Sequence, residues 1–315
     1  AALTVEARRA GMGVDRGDTP DAVERVLAHP AIVAALAKAS DYCTGLADKA
    51  TVRRYIRANE GDVQAAAAAL AQSIAWRSEA RPELVECPQC MVNPHSHNLR
   101  VVGIDDLGRP VLYSCHSQAV DRFDAEANLK HLMRGLEDAC AIGASRAERL
   151  GAPPVEKCVW IIDFEGYLFL KDSSPKTGVL TAALLAHYPE RLGRAVLVDA
   201  PRLFAGTWSV ISRILNPITA SKVTFVRTND GSLETELKGW VGSELRRWLV
   251  DEMRENRSPS NMHGEKEFWS KPMRSEAHDP RAERSFLSSP EFALTWTSRV
   301  PARACRGPPP RRLTQ

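Results

Sequence analysis

Two cysteines and two histidines are crowded into Cys87-Pro88-Gln89-Cys90-Met91-Val92-Asn93-Pro94-His95-Ser96-His97. Thiolate and imidazole are the donors of a tetrahedral zinc centre, so Cys87, Cys90, His95 and His97 are chemically competent ligands. The Cys-x-x-Cys lacks a second pair, however. His95 and His97 are tightly spaced, and the stretch falls where a helix-rich segment gives way to strands. The expectation is a polar linker over residues 86–97 with incidental thiols, holding neither metal nor cofactor.

Catalytic spacing is missing elsewhere. The chain has no Gly-x-Ser-x-Gly elbow, no His-Glu-x-x-His and no Gly-x-x-x-x-Gly-Lys-Ser/Thr loop. Ser173-Ser174-Pro175-Lys176 and Lys176-Thr177-Gly178 mimic two motifs of penicillin-binding proteins, but one lysine would have to fill two separate roles. A non-enzymatic protein with no catalytic residue is expected.

By bulk measures the chain is an ordinary soluble protein. The chain has 315 residues, 44% of them hydrophobic, enough for a sizeable core in one main domain with a smaller companion. A formal net charge of +3 is too small to point to nucleic acid. The charge is uneven, since Arg299, Arg303, Arg306, Arg311 and Arg312 stand near the end without an acid among them. Seven scattered cysteines suit a reducing compartment, and a cytoplasmic location follows as the expectation. No apolar run reaches the ~20 residues of a membrane-spanning helix, and no secretory leader pattern stands at the start.

The elements that must position any site follow from periodicity. Asp21 to Ala39 is apolar at helical spacing and split by Pro30. Asp48 to Asn59 is a second helix, and Asp62 caps a third over Val63 to Glu79, where five successive alanines favour helix. After Pro94 the pattern changes. Leu99–Gly103 and Pro110–Ser114 read as strands joined by a turn at Asp105, Asp106 and Gly108. Ala125 to Leu150 is a long helix with a stripe at Leu129, Leu132, Met133, Leu136, Cys140, Gly143, Ala147 and Leu150. Strands at Val155–Asp163, Ala195–Asp199 and Val223–Arg227 alternate with helices at Ser174–His187 and Leu203–Leu215, as in a largely parallel sheet. Beyond Glu255, repeated prolines and isolated aromatics leave no stripe. A disordered tail over residues 257–315 is expected, with Pro308-Pro309-Pro310-Arg311-Arg312 as a candidate ligand for a proline-reading protein partner.

Phe204, Trp208, Ile211 and Leu215 share one face of the Leu203–Leu215 helix. Taken alone, that face is ordinary core packing.

Four segments occur in order: Val52 to Glu83, Asp106-Leu107-Gly108-Arg109-Pro110-Val111, Ile162-Asp163-Phe164-Glu165-Gly166, and Tyr188 to Val226, which begins Tyr-Pro-Glu-Arg-Leu-Gly. Together they resemble the CRAL-TRIO lipid-binding family, of the phosphatidylinositol/phosphatidylcholine transfer type, across residues 48 to 228. The resemblance implies an α/β fold with a mixed, largely parallel sheet flanked by helices. It implies a helical domain over 19–85 and a lipid-binding domain over 98–256.

In that family the helix matching Leu203–Leu215 is a lid over the lipid, which makes Phe204, Trp208, Ile211 and Leu215 lid residues. Resemblance to the phosphatidylinositol-binding members picks out Lys222 for a phosphate, Thr219 as a hydroxyl donor, and Glu190 to hold the lysine and the lid. Cys158 and Trp160 align with headgroup-contacting strand positions of phosphatidylcholine-binding members. Asn59 replaces an arginine that holds phosphate in phosphoinositide-binding members, while Arg54 and Arg57 align elsewhere. The ligand is therefore open between a phospholipid and another hydrophobic molecule such as a sterol, tocopherol or retinoid. The expected function is binding, and transfer between transiently contacted membranes, by a peripheral membrane protein. The alternative is a lipid-sensing or lipid-independent scaffold acting through protein partners.

Overall fold

The computed structural model describes residues 17–39, 43, 45–92, 96–119, 121–151, 155–172, 175–214 and 217–258. The chain divides into two units, one up to Arg81 and one from Pro82.

The first unit is helical. Helices α1 (Pro20–Leu27) and α2 (Pro30–Lys38) each begin on a proline, which needs no hydrogen-bond acceptor at a helix start, so Pro30 divides the segment as its sequence implies. Asp48 accepts from Thr51 N at 2.8 Å and caps α3 (Lys49–Ala58). Asp62 accepts from Gln64 N and Ala65 N and caps α4 (Val63–Ala80). The alanines of α4 let its backbone approach a core of Val23, Val26, Ile32, Val52, Ile56, Leu70 and Ile74.

The second unit is built on a five-stranded sheet in the order β1 (Arg100–Ile104), β2 (Pro110–Cys115), β3 (Cys158–Asp163), β4 (Leu192–Val198), β5 (Val223–Val226). The β1–β2 pair is antiparallel and the others are parallel. In the β1–β2 turn, Asp105 Oδ1 accepts from Leu107 N and Arg109 N, while Gly108 takes φ +77°. Gly166, after β3, has φ +76° and lies so close to Ser117 that a Cβ would stand 2.7 Å from its Cα. That approach explains why the turn ends in glycine.

Parallel neighbours require crossover helices. Helix α6 (Ala125–Leu150) links β2 to β3, α8 (Pro175–Ala186) links β3 to β4, and α9 (Phe204–Ile214) links β4 to β5. The short helices α5 (Pro88–Val92), α7 (Phe169–Asp172) and α10 (Pro217–Ala220) sit in the connections. Helix α6 packs on β1 and β2, and α8 packs on α6 and α9. The buried side of α6 runs through Ala127, His131, Leu132, Leu136, Ala139 and Ile142, whereas Leu150, placed on the apolar stripe by spacing alone, is 61% exposed.

Two further helices, α11 (Ser232–Lys238) and α12 (Ser243–Asn256), cover the opposite face. Leu233, Leu237, Trp240, Leu245, Trp248, Leu249 and Met253 pack there against Val111, Tyr113, Val159, Ile161, Val196, Val198 and Val226. Leu245 and Leu249 are fully buried, so truncating either to Ala should cost roughly 2–5 kcal/mol. Residues 86–97, expected as a linker, contain α5 and the buried side chains Cys87, Cys90, Ser96 and His97. The expected tail lies outside the described residues from 259 onward, but Arg257 is part of the folded unit.

Candidate functional site

Strand alternation divides the sheet side chains between its two faces. Register then aligns two rows opposite α11 and α12: Leu112, Trp160, Ala195 and Val223 form one, and Ser114, Ile162, Leu197 and Phe225 the other. These rows are incompletely covered. Trp160, Ile162 and Val223 are half-buried and Phe225 is 48% exposed, although all lie on central or edge strands of the main sheet. Trp160 is anchored by its indole Nε1, which donates to Ser114 Oγ at 3.1 Å.

Helix α9 lies on this face. Phe204 is buried among Phe164, Ala195, Leu197 and Ala200, with Trp208 packed beside them. The Phe164 and Phe204 rings meet edge-on at 4.7 Å, Tyr167 lies 6.0 Å from Phe204, and Trp208 meets Phe225 edge-on at 5.8 Å. The structure thus brings Phe204, Trp208 and Trp160 to one sheet face. Ile211 belongs to α9, and Leu215 falls outside the described residues.

The polar candidates gather where β3, β4 and β5 begin. The Glu190 carboxylate, 6% exposed, lies between Lys222 Nζ at 3.8 Å and Lys157 Nζ at 3.7 Å. Glu190 adopts φ +59°, a left-handed conformation costing on the order of 1–3 kcal/mol for such a residue, so its placement is enforced by its surroundings. Lys157 carries no motif and was missed by sequence reasoning. Thr219, half-buried, belongs to α10, and its carbonyl accepts from Lys222 N at 3.2 Å. Cys158 is buried, donates from Sγ to Arg191 O at 3.4 Å, and has its thiol pushed up to about 12 by burial. In the first unit Asn59 Nδ2 donates to Tyr55 O, and Arg54 Nη2 donates to Thr51 Oγ1.

At the other end of the strands, His116 sits 5.3 Å from Phe164 and 5.0 Å from Tyr167. Burial holds its imidazole down at about 4. On the far face a polar chain runs from Asn256 Nδ2 to Tyr113 Oη at 2.8 Å and from Tyr113 Oη to Asp163 Oδ2 at 2.9 Å. Arg257 closes it by donating to both oxygens of Asp163 and to Asp199.

Three of the four Cys/His candidates, Cys87, Cys90 and His97, are brought together. Cys87 Sγ lies 3.2 Å and Cys90 Sγ 3.4 Å from His97 Nδ1. The fourth member is His131 of α6, whose Nδ1 is 3.5 Å from Cys90 Sγ. His95, the other histidine singled out by spacing, lies outside the described residues. A histidine in the buried register of an amphipathic helix was the available signal for His131.

Comparison with known proteins now bears on these features. Residues 96–239 match the CRAL/TRIO domain family. Phosphatidylinositol transfer protein CSR1 of Eremothecium gossypii is 25% identical over 190 residues, covering 56% of this chain and 41% of that protein. SEC14 cytosolic factor of Yarrowia lipolytica is 25% identical over 198 residues, covering 58% and 39% respectively. The chain therefore spans less than half the length of these curated relatives. The crystal structure of Sfh5 superposes with a TM-score of 0.51 at 13% identity, covering 71% of this chain and 85% of that one, a likeness of fold. All five strands of the sheet, from β1 to β5, lie within residues 96–239, the stretch that matches the CRAL/TRIO domain family.

Proposed function

We propose that the second unit binds a phospholipid non-enzymatically, with its acyl chains on the two half-covered rows of the sheet under α9 and its headgroup beside Lys222, Thr219 and Glu190. The observation that carries this reading is the polarity of that face along the strands. Two lysines and a buried carboxylate stand at the strand starts, and aromatic and aliphatic side chains follow, Trp160, Ile162, Val223, Phe225 and Trp208 among them. An amphiphile is the ligand whose own polarity matches.

Lys222 would supply a charge-assisted hydrogen bond to a phosphate oxygen. Glu190 holds that ammonium in place and, as a carboxylate, opposes any approach of phosphate from its own side. Phe204 and Trp208 would face lipid when α9 is closed and the membrane interface when it is open. Among the described residues no helix is long and apolar enough to cross a membrane, which suits transient peripheral contact at the cytoplasmic surface. The name of one relative, phosphatidylinositol transfer protein CSR1, favours phosphatidylinositol.

The test is direct. The protein, purified from a heterologous host, should release a stoichiometric phospholipid under denaturing mass spectrometry and should move that lipid between vesicles. Recovery of no lipid together with no transfer would overturn the reading and leave the scaffold alternative. Lipid bound without transfer would support sensing over carriage.

A further inference from the structure

We propose that Cys87, Cys90, His97 and His131 form a structural zinc site, with two thiolates and two imidazole nitrogens as ligands. All four side chains are buried, and their ligand atoms lie within 4.8 Å of one another. A tetrahedral ion with bonds of about 2.3 Å to sulfur and about 2.0–2.1 Å to nitrogen requires sulfur-to-nitrogen separations of ~3.6 Å. The observed 3.2, 3.4 and 3.5 Å are close to that edge length. Single thiol–imidazole hydrogen bonds span the same distances, but the convergence of all four ligand atoms on one buried point is what a shared ion requires.

Local structure prepares each ligand. Helix α5 opens at Pro88, so Cys87 and Cys90 stand one turn apart and project to the same side. His131 comes from α6, where its Nε2 lies 3.0 Å from Leu99 O and 3.0 Å from Leu99 N. Nε2 can accept from Leu99 N or donate to Leu99 O; metal binding through Nδ1 selects the second, leaving the Nδ1 lone pair toward the sulfurs in the outer-shell arrangement usual for metal-bound histidine. His97 Nδ1 faces both sulfurs, while its buried Nε2 has no partner. The two rings stack at 5.0 Å.

The ligands lie on three segments: α5, the residue stretch entering β1, and α6. A bound ion would therefore fasten residues 87–97 to the sheet and to α6. Cys87 and Cys90 precede the stretch that matches the CRAL/TRIO family. The clamp is thus an addition to the domain and is independent of the proposed lipid site.

The full-length protein, purified under reducing conditions without added chelator, should contain one zinc per chain by elemental mass spectrometry. Replacement by cobalt should produce the visible bands of a tetrahedral thiolate-imidazole centre. Zinc should be lost in Cys87→Ser/Cys90→Ser and in His131→Ala but retained in Cys140→Ser. Should the ligand variants fail to fold, the wild-type zinc content and cobalt spectrum still decide. A folded wild-type protein that carries no zinc and gives no tetrahedral cobalt spectrum would overturn the site. So would a Cys87–Cys90 disulfide in protein isolated with thiols trapped, or undiminished zinc in the folded double-serine variant.

Discussion

Arg257 forks onto Asp163, its Nη1 donating to Oδ2 at 3.0 Å and its Nη2 to Oδ1 at 2.8 Å. The Asp163 side chain is fully buried at the end of β3, and the same Nη2 also donates to Asp199 Oδ2 at 2.6 Å, at the end of β4. One guanidinium just past α12 thus neutralises two carboxylates at the ends of two strands. Burial opposes charge on Asp199, but hydrogen bonds from Thr228 and Arg257 still hold its carboxyl below the ordinary value.

Arg257→Ala should therefore destabilise the second unit by roughly 3 kcal/mol, because it leaves a buried carboxylate without its partner. Arg254→Ala breaks an exposed pair with Asp251 and should cost less than ~1 kcal/mol. Urea denaturation of both variants measures the difference. Equal costs would show that Asp163 is stabilised sufficiently by its other donors, Tyr113 Oη and Glu165 N.

The order of strands and crossover helices was legible because each element carries its own periodicity. The Ala125–Leu150 helix has the limits its sequence implies, with Asp124 as cap and Gly151 left-handed at its end. Helix α12 was not legible in the same way. Its buried face includes Glu252 and Asn256, which break an apolar stripe and become intelligible only beside Arg100, Gln118 and Tyr113. The headgroup candidates came from resemblance, since a lone Glu190 or Lys222 has no periodic signal. The Cys/His cluster depends on a histidine distant in sequence, His131, and only the packing of α6 against β1 supplies it.

Lys222→Ala should weaken binding of an anionic phospholipid by about tenfold while changing affinity for a neutral hydrophobic ligand far less, since only the former loses a charge-assisted hydrogen bond. Lys157 lies on the other side of Glu190 and limits the loss. Fluorescent-lipid binding in detergent-free buffer makes the comparison. Equal loss for both ligands would assign Lys222 to the stability of the fold.

Trp208→Asp should leave circular dichroism unchanged but reduce co-sedimentation with vesicles. Trp208 is only half-buried against Phe225, so the protein tolerates the change, whereas a carboxylate opposes entry of α9 into the interface. Unchanged co-sedimentation would limit Trp208 to packing on the sheet.

The final prediction concerns His116, whose imidazole is held down at about 4 from an ordinary 6.5 by burial, with Asp172 opposing the shift and Arg122 adding to it. Between those two values the unfolded chain takes up a proton that the folded protein excludes. Stability then rises with pH across that window, is complete above about 6.5, and falls as the solution is acidified toward 4. His116→Phe keeps an aromatic ring beside Phe164 and Tyr167 but cannot titrate. Other carboxylates, Asp199 among them, also change stability in acid, so the difference between wild type and variant isolates the histidine. Midpoints of urea unfolding followed from pH 7 to pH 4 should fall more steeply for wild type than for His116→Phe. Parallel curves would mean that the folded protein protonates His116 as readily as the unfolded chain does.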